Sequence, residues 1–287
     1  MGMASSMRLA IALLFAACGV VVSITPPIRL PASMPVGSTE QATGVPTAVS
    51  ITVPGHFSNF KEAIEKGPED VGTILVQPGE HRWENFLEIG QQLDIRGSNG
   101  ALLPGSLWMK KSSGGEMQGV EMAKESGSCI IFEGGQWVID SCRLVCSRWA
   151  VLWCRCECDV SIKNCFMGGL EDGPGYCVNC QDHARTTVEG CHLERSSGEY
   201  CAAVAVFHSV RTRVQNCNFH DNQFAFRAVT AKDATLELIG NNINGEMWYD
   251  SVRPGNLVEH DNSQDGVHMS EATVQGASPE GFFDQAR

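Results

Sequence analysis

What the chain lacks narrows its function before any motif is found. Lys and Arg form no cluster and no basic helical stripe, and 21 basic side chains stand against 33 acidic ones, a formal charge of -12. Such a field repels a phosphate backbone, which sets nucleic acid aside as a partner. The apolar run near the N-terminus, residues 9–24, has 16 residues, short of the ~20 that a membrane-spanning helix needs. No phosphate loop, nucleotide fingerprint or Ser-His-Asp arrangement stands out. Aromatic residues make up only 7% of the chain, with three tyrosines. An apolar fraction of 43% is nevertheless enough for a real core, so global disorder is excluded.

The ends read differently from the middle. Arg8 precedes the apolar run, and Ala16, Ala17 and Ser23 supply small residues for cleavage. Residues 1–24 therefore read as a secretory signal, with an uncleaved anchor as the alternative. This makes the protein secreted or held at a cell surface, touching membrane only through that segment. Residues 25–51 hold five prolines among Ser, Thr, Gly and Ala, and have too little apolar material to offset their ordering entropy, so they read as a linker. Residues 251–287 read as a disordered acidic tail.

Between these ends lies a repeat. Aligned on one cysteine, the copies are Trp137-Val-Ile139-Asp-Ser-Cys142-Arg-Leu144, Val160-Ser-Ile162-Lys-Asn-Cys165-Phe-Met167, Thr186-Thr-Val188-Glu-Gly-Cys191-His-Leu193 and Thr212-Arg-Val214-Gln-Asn-Cys217-Asn-Phe219. A fifth, Leu236-Glu-Leu238-Ile-Gly-Asn241-Asn-Ile243, has Asn at the anchor, and the anchors lie 23, 26, 26 and 24 residues apart. Aliphatic residues three before the anchor alternate with polar ones, the period-2 pattern of a strand with one buried face. Four of the five residues just before the anchor are Asn or Gly, which tolerate a left-handed backbone. The chain thus turns there once per repeat, and the anchor and the residue two beyond it point inward on a second strand. A third strand follows around residues 150–153, 204–207 and 224–229.

Strand, sharp turn, strand and no helical stretch, repeated every ~25 residues, is the rung of a parallel β-helix. A leucine-rich repeat would need an apolar residue eight before each cysteine. Gly134, Glu157, His183, Ser209 and Asp233 stand there instead. Upstream, Phe57-Ser-Asn-Phe60-Lys-Glu-Ala63-Ile64 reads as a short capping helix. Ile74-Leu75-Val76-Gln-Pro78-Gly79, Phe86-Leu87-Glu-Ile89 and Leu93-Asp-Ile95-Arg-Gly97 read as the first rung. The fold expected is all-β, a single-stranded right-handed parallel β-helix over residues 52–250, with seven or eight rungs and a short N-terminal capping helix.

This opening resembles that of pectin-lyase-like β-helix proteins, and the chain looks most like their non-catalytic right-handed β-helix region members. These include the substrate-binding half of F-box-type proteins and periplasmic copper-processing repeat proteins. No F-box helix cluster precedes the repeats, so a ubiquitin-ligase role is not carried over. The resemblance implies a solenoid surface and, among catalytic relatives, polysaccharide cleavage. The hydrolase motifs Asn-Thr-Asp, paired Asp, Gly-His-Gly and Arg-Ile-Lys are absent here.

Twelve of the thirteen cysteines lie between Cys129 and Cys217. The ladder cysteines occupy inward positions, where Cys acts as a small apolar residue, so buried thiols with one or two loop disulfides are expected. Cys154, Cys156 and Cys158 alternate, which would put all three on a core face. Cys177-Val-Asn-Cys180 has metal-ligand spacing but needs a second pair from the preceding rung to make a zinc site. Hydrolysis would need two carboxylates facing one groove, and a lyase a calcium cluster with a basic residue; calcium is expected only in that case, and otherwise no cofactor. The acid–base candidates are Asp159, Asp182 and His183. Arg185 and Arg211, both six before an anchor, are candidates to grip a carboxylated sugar, against the plainer reading of a solvated face balanced by Glu189 and Asp182. His220-Asp221-Asn222 reads as a turn rather than a catalytic pair. Trp149, Trp153, Tyr176, Tyr200 and Trp248 are candidate stacking platforms, with Trp153 the best exposed beside Arg155 and Trp137 assigned to the core. The balance favours recognition of a glycan or protein along the solenoid face. A divergent polysaccharide lyase or glycoside hydrolase is the first alternative, and a structural cell-surface protein the second.

Overall fold

The computed structural model describes residues 49–169, 175–196, 201–229, 234–249, 256–264 and 267–268. The export segment, most of the linker, Asp233, Tyr200 and the chain beyond residue 268 lie outside them. Among the described residues no helix is long and apolar enough to cross a membrane.

The repeat folds as its pattern demands. Each copy gives a strand such as Gln136–Asp140, a tight turn, and a second strand such as Arg143–Cys146. A loop then leads to a third, such as Ala150–Cys154. Equivalent strands stack in parallel into three sheets, here A, B and C in rung order, of ten, ten and eight strands. The result is an all-β right-handed parallel β-helix of about nine turns. The turn residues Ser141, Asn164, Gly190, Asn216 and Gly240 all take φ between 51 and 63°. Gly190 meets that demand without strain, and Asn tolerates it. Ser141 adopts it too, with its hydroxyl on the Asp140 carboxylate at 3.0 Å.

Inward residues form ladders down the prism. Ile139, Ile162, Val188, Val214 and Leu238 are at most 1% exposed, as are Leu144, Met167 and Leu193. Trp137 is core, its indole N–H donating to Ser113 Oγ at 3.0 Å. Ten cysteines are buried as thiols and gather at the three inner corners. Cys142, Cys165, Cys191 and Cys217 line the A–B corner, where the Cys142 amide donates to Cys165 Sγ at 3.4 Å. Cys129, Cys146 and Cys177 lie between B and C, and Cys154, Cys158 and Cys180 between C and A. A corner between flat sheets has room for a small, polarisable side chain but not for leucine. Burial pushes the Cys177 thiol up from its ordinary pKa, which keeps that sulfur protonated.

Helix α1, Phe60–Lys66, packs on the first rung, burying Phe60 and Ala63; Asn59 caps it, accepting from the Glu62 amide. Phe60 meets Trp83 with ring centroids 5.5 Å apart.

Four expectations need correction. The first strand, Val49–Val53, starts inside the expected linker. The stack also runs on past residue 250, with Leu257–His260 on sheet A and Ser263–Gln264 on sheet B. This extra rung, which takes the count beyond seven or eight, was hidden because Glu259 stands where other copies have an aliphatic residue. Asp261 nevertheless makes the left-handed turn (φ 54°), and Asn262 takes the anchor position, bonding Asn241. Finally, the strand ends at Cys154, so Cys156 is exposed at φ 59° while Cys154 and Cys158 are buried.

Candidate functional site

Six residues before each anchor, a strand of sheet A begins with its side chain in solvent. Strand register puts Asp159, Arg185 and Arg211 there on three successive rungs. They line two adjoining grooves where sheet C turns into sheet A. One, of about 600 Å3, is lined by Gln136, Glu157, Asp159, His183 and Arg185, among others. The other, of about 320 Å3, carries Arg185, Thr187, Arg211 and Arg213.

The two arginines of the expected pair differ in their partners. Arg211 donates through Nε and Nη2 to Glu237 Oε1 at 3.0 and 2.6 Å, and Arg213 lies 3.5 Å from the same carboxylate. Glu237, not Glu189 or Asp182, is therefore the balancing acid. Arg185 has no ion-pair partner among the described residues. Asp182 lines neither groove: it and His183 form a turn at φ 48 and 71°, and only His183 reaches the wall. Glu157 is drawn to Lys111 at 3.3 Å, leaving Asp159 as the acid beside Arg185 and His183. This constellation can hold one polar or anionic group at Arg185; it does not isolate an acid–base pair of carboxylates.

The sulfur candidates separate. Cys177 and Cys180 share the strand Tyr176–Gln181. Cys177 Sγ lies 3.5 Å from the Met167 carbonyl at one corner, whereas Cys180 stacks on Cys154 at another. Two intervening residues of extended chain hold them apart, and among the described residues no group of three or more His, Cys, Asp or Glu is placed to hold a metal ion. His220-Asp221-Asn222 is a turn, with Asp221 at φ 53°. The Asn222 amide group is buried, donating to the Leu193 carbonyl and accepting from Ser196.

The outer face of sheet C carries a richer surface. Its middle row reads Glu88, Trp108, Ile131, Trp153, Asn179, Ala205, Arg227 and Trp248, one residue per rung. Phe86 (46% exposed) and Trp149 (65% exposed) flank it, with Tyr176, Phe207 and Phe224. Trp149 stacks on Trp153 with centroids 6.3 Å apart and planes 22° from parallel. Trp153 is therefore half-buried rather than openly exposed, and its indole N–H donates to Gln181 Oε1 at 3.1 Å. Trp149 is the open ring of the two.

Cations sit on these rings. Lys110 Nζ is 3.8 Å from the Trp108 centroid, and the Arg155 guanidinium is 5.1 Å from Trp153 and 5.9 Å from Trp108. Arg227 lies 4.6 Å from Trp248. Glu133 joins Lys110, at 3.1 Å, to Arg155, which bonds its other oxygen. Burial works to raise the Glu133 pKa, but the hydrogen bonds and charges of Lys110 and Arg155 outweigh it and hold the carboxyl below its ordinary value. Trp108 Nε1, Arg155 Nε and Asn179 Oδ1 on this face are buried without a hydrogen-bond partner among the described residues. Buried atoms of that kind are rare and call for a partner.

Trp108, Phe207 and Phe224 were not among the sequence-derived candidates. The signal available was period-2 alternation within each third strand, which puts Trp108, Trp153 and Trp248 on one parity.

A stack of parallel rungs in three sheets defines a right-handed β-helix protein. The chain belongs to the family described as right handed beta helix region, which matches residues 105–276, more than half of its length. No curated protein matches it. Among solved structures it is similar to a pectin methylesterase variant in complex with a hexasaccharide, at 10% identity and a TM-score of 0.53, over 79% of this chain and 92% of that one. It is also similar to the Aspergillus niger pectin methylesterase, at 13% identity and a TM-score of 0.47, over 84% and 94% of the two chains. At such identities the likeness is one of fold.

Proposed function

We propose that this chain is a glycan-recognition β-helix that binds a saccharide chain along the outer face of sheet C. The observation that carries this reading is the set of indoles on this face, Trp108, Trp153 and Trp248 in its middle row, with the open ring of Trp149 stacked beside Trp153. Sugar rings pack their C–H faces on indoles while their hydroxyls take up nearby polar groups. Catalysis by paired carboxylates is not favoured on this face, where the partly buried acid, Glu133, is neutralised by two cations. Export by residues 1–24 to the cell exterior belongs to the same reading.

The test is retention of the full chain on immobilised polysaccharides, neutral and acidic, with and without calcium, with new chain ends measured in the same samples. Retention without cleavage, weakened about tenfold or more by Trp149→Ala, is the expected result. Cleavage that disappears in Asp159→Asn would make this an enzyme working in the Arg185 groove instead.

A further inference from the structure

We infer that the arginine-walled groove on sheet A is a second binding site, which takes the carboxylate of a hydroxylated acid such as a sugar acid. It stands independently of the glycan reading for sheet C.

The first reason is an unbalanced run of arginines. Parallel register sets Arg185 directly opposite Arg211, and Arg213 follows two residues along the same outward side. Like charges directly opposite on neighbouring strands destabilise a sheet. Four other arginines each stand beside an acid: Arg82 by Glu80, Arg96 by Asp94, Arg143 by Glu121 and Arg195 by Glu194. Here one carboxylate, Glu237, serves both Arg211 and Arg213 from the next rung and stands outside the groove wall. Arg185 is exposed and meets no acid among the described residues. With Asp159 on the wall, three guanidiniums face two carboxylates, so one positive charge is left over in a chain that carries -12.

The second reason is that two of these cations are held in place with donors to spare. Arg211 is fixed through Nε and Nη2, at 3.0 and 2.6 Å from Glu237 Oε1. Arg213 is fixed through Nε, 2.8 Å from Gln215 Oε1, and through Nη1, 3.5 Å from Glu237 Oε2. A guanidinium has five N–H donors, so each keeps some for a ligand. Both side chains open to solvent, 52% exposed at Arg211 and 37% at Arg213.

The third reason is shape. Thr187 and Gln215 complete with the arginines a groove of about 320 Å3, enough for a carboxylate and the carbons that carry it. A planar carboxylate takes two parallel bonds from one guanidinium fork, and its single charge matches the surplus. A phosphate dianion would bring a second charge against Asp159. The adjoining groove of about 600 Å3, with Gln136, His183 and Asp159 on its wall, receives the hydroxylated remainder.

The experiment is an NMR titration of the full chain with glucuronate, glucose, acetate and a glucose phosphate, following arginine Nε–Hε and indole signals. Glucuronate should shift the Arg185 signal, identified by its loss in Arg185→Gln, and glucose should not. Acetate should bind about tenfold more weakly, for want of the hydroxylated body. Arg185→Gln should weaken glucuronate binding about tenfold or more, and Asp159→Asn should strengthen it about threefold. Arg148→Gln, at an exposed arginine outside the groove, should change it less than about twofold. If circular dichroism shows Arg185→Gln unfolded, Arg185→Lys keeps the charge without the fork; binding unchanged in it overturns the proposal. Glucose acting like glucuronate, or Arg148→Gln weakening binding as much as Arg185→Gln, also overturns it. Tighter binding of the phosphate overturns the charge match. Glucuronate that moves indole signals and not Arg185 overturns this site and leaves the sheet C reading standing. A uronic-acid oligosaccharide about tenfold tighter than glucuronate traces the carboxylate to a polymer, and equal binding to a free acid; both uphold the site.

Discussion

Replacing Asn241 tests the packing of the solenoid at a repeat whose anchor is asparagine instead of cysteine. Asn241 is 0% exposed. Its Oδ1 accepts from the Cys217 amide at 2.9 Å, and its Nδ2 donates to the Val214 carbonyl and Asn262 Oδ1, both at 3.0 Å. Asn241→Ala deletes three buried hydrogen bonds at a net ~1 kcal/mol each, and leaves the Cys217 N–H without an acceptor, so about 3 kcal/mol is lost. In a solenoid each rung contacts only its neighbours, so the cost falls on the C-terminal rungs rather than on the whole stack. Hydrogen exchange is the right assay: the Cys217 amide should exchange about a hundredfold faster, with little change at Ile139. Asn241→Cys should cost less, about 1–2 kcal/mol, because a thiol at this position still accepts an amide, as Cys165 does from Cys142. An Ala variant whose Cys217 amide exchanges as slowly as in the parent would refute the reasoning, and so would a Cys variant worse than Ala.

Three further outcomes are expected. Gly105→Ala should destabilise by about 2 kcal/mol or more in urea denaturation, because a Cβ there would lie 2.0 Å from Trp83 Cε2; an unchanged midpoint would mean that Trp83 moves freely. Glu133 has its pKa lowered in the folded state, so its stabilising contribution is complete above the ordinary carboxylate pKa and lost as pH falls through the folded value. The urea midpoints of parent and Glu133→Gln should therefore differ at neutral pH and converge in acid; a constant gap would contradict the assignment. Iodoacetamide followed by mass spectrometry should label exposed Cys156 in the native protein, and the ten buried thiols only on unfolding. Labelling of Cys165 at the rate of Cys156 would show that the corner is open.

The A–B half of each rung was legible in the sequence because its chemistry is phase-locked. Aliphatic, left-handed turn residue and cysteine recur at fixed offsets, and each offset has a separate steric cause. The C strand has no such lock. Trp153 lies 11 residues after Cys142, Asn179 14 after Cys165, Ala205 14 after Cys191, and Arg227 10 after Cys217. Loops of differing length thus scatter one structural row across three offsets, which hid Trp108 as a neighbour of Trp153. The groove residues Asp159, Arg185 and Arg211 were found because they precede the anchor at constant distance. Their ion pairing was not legible, since Glu237 reaches Arg211 from the next rung. The last rung was lost to the single substitution Glu259, whose carboxylate takes a hydrogen bond from the Tyr249 hydroxyl.

Because sheet C advances by one strand per turn, its outer face works as a graduated rule on which each turn is one division. Duplicating a turn would lengthen the rule by ~4.8 Å and leave every other division intact. Deleting the turn that carries Ile131 would bring Trp108 and Trp153 onto adjacent divisions. The spacing of recognition elements can therefore change in whole steps, by gain or loss of a repeat, without redesign of the core beneath.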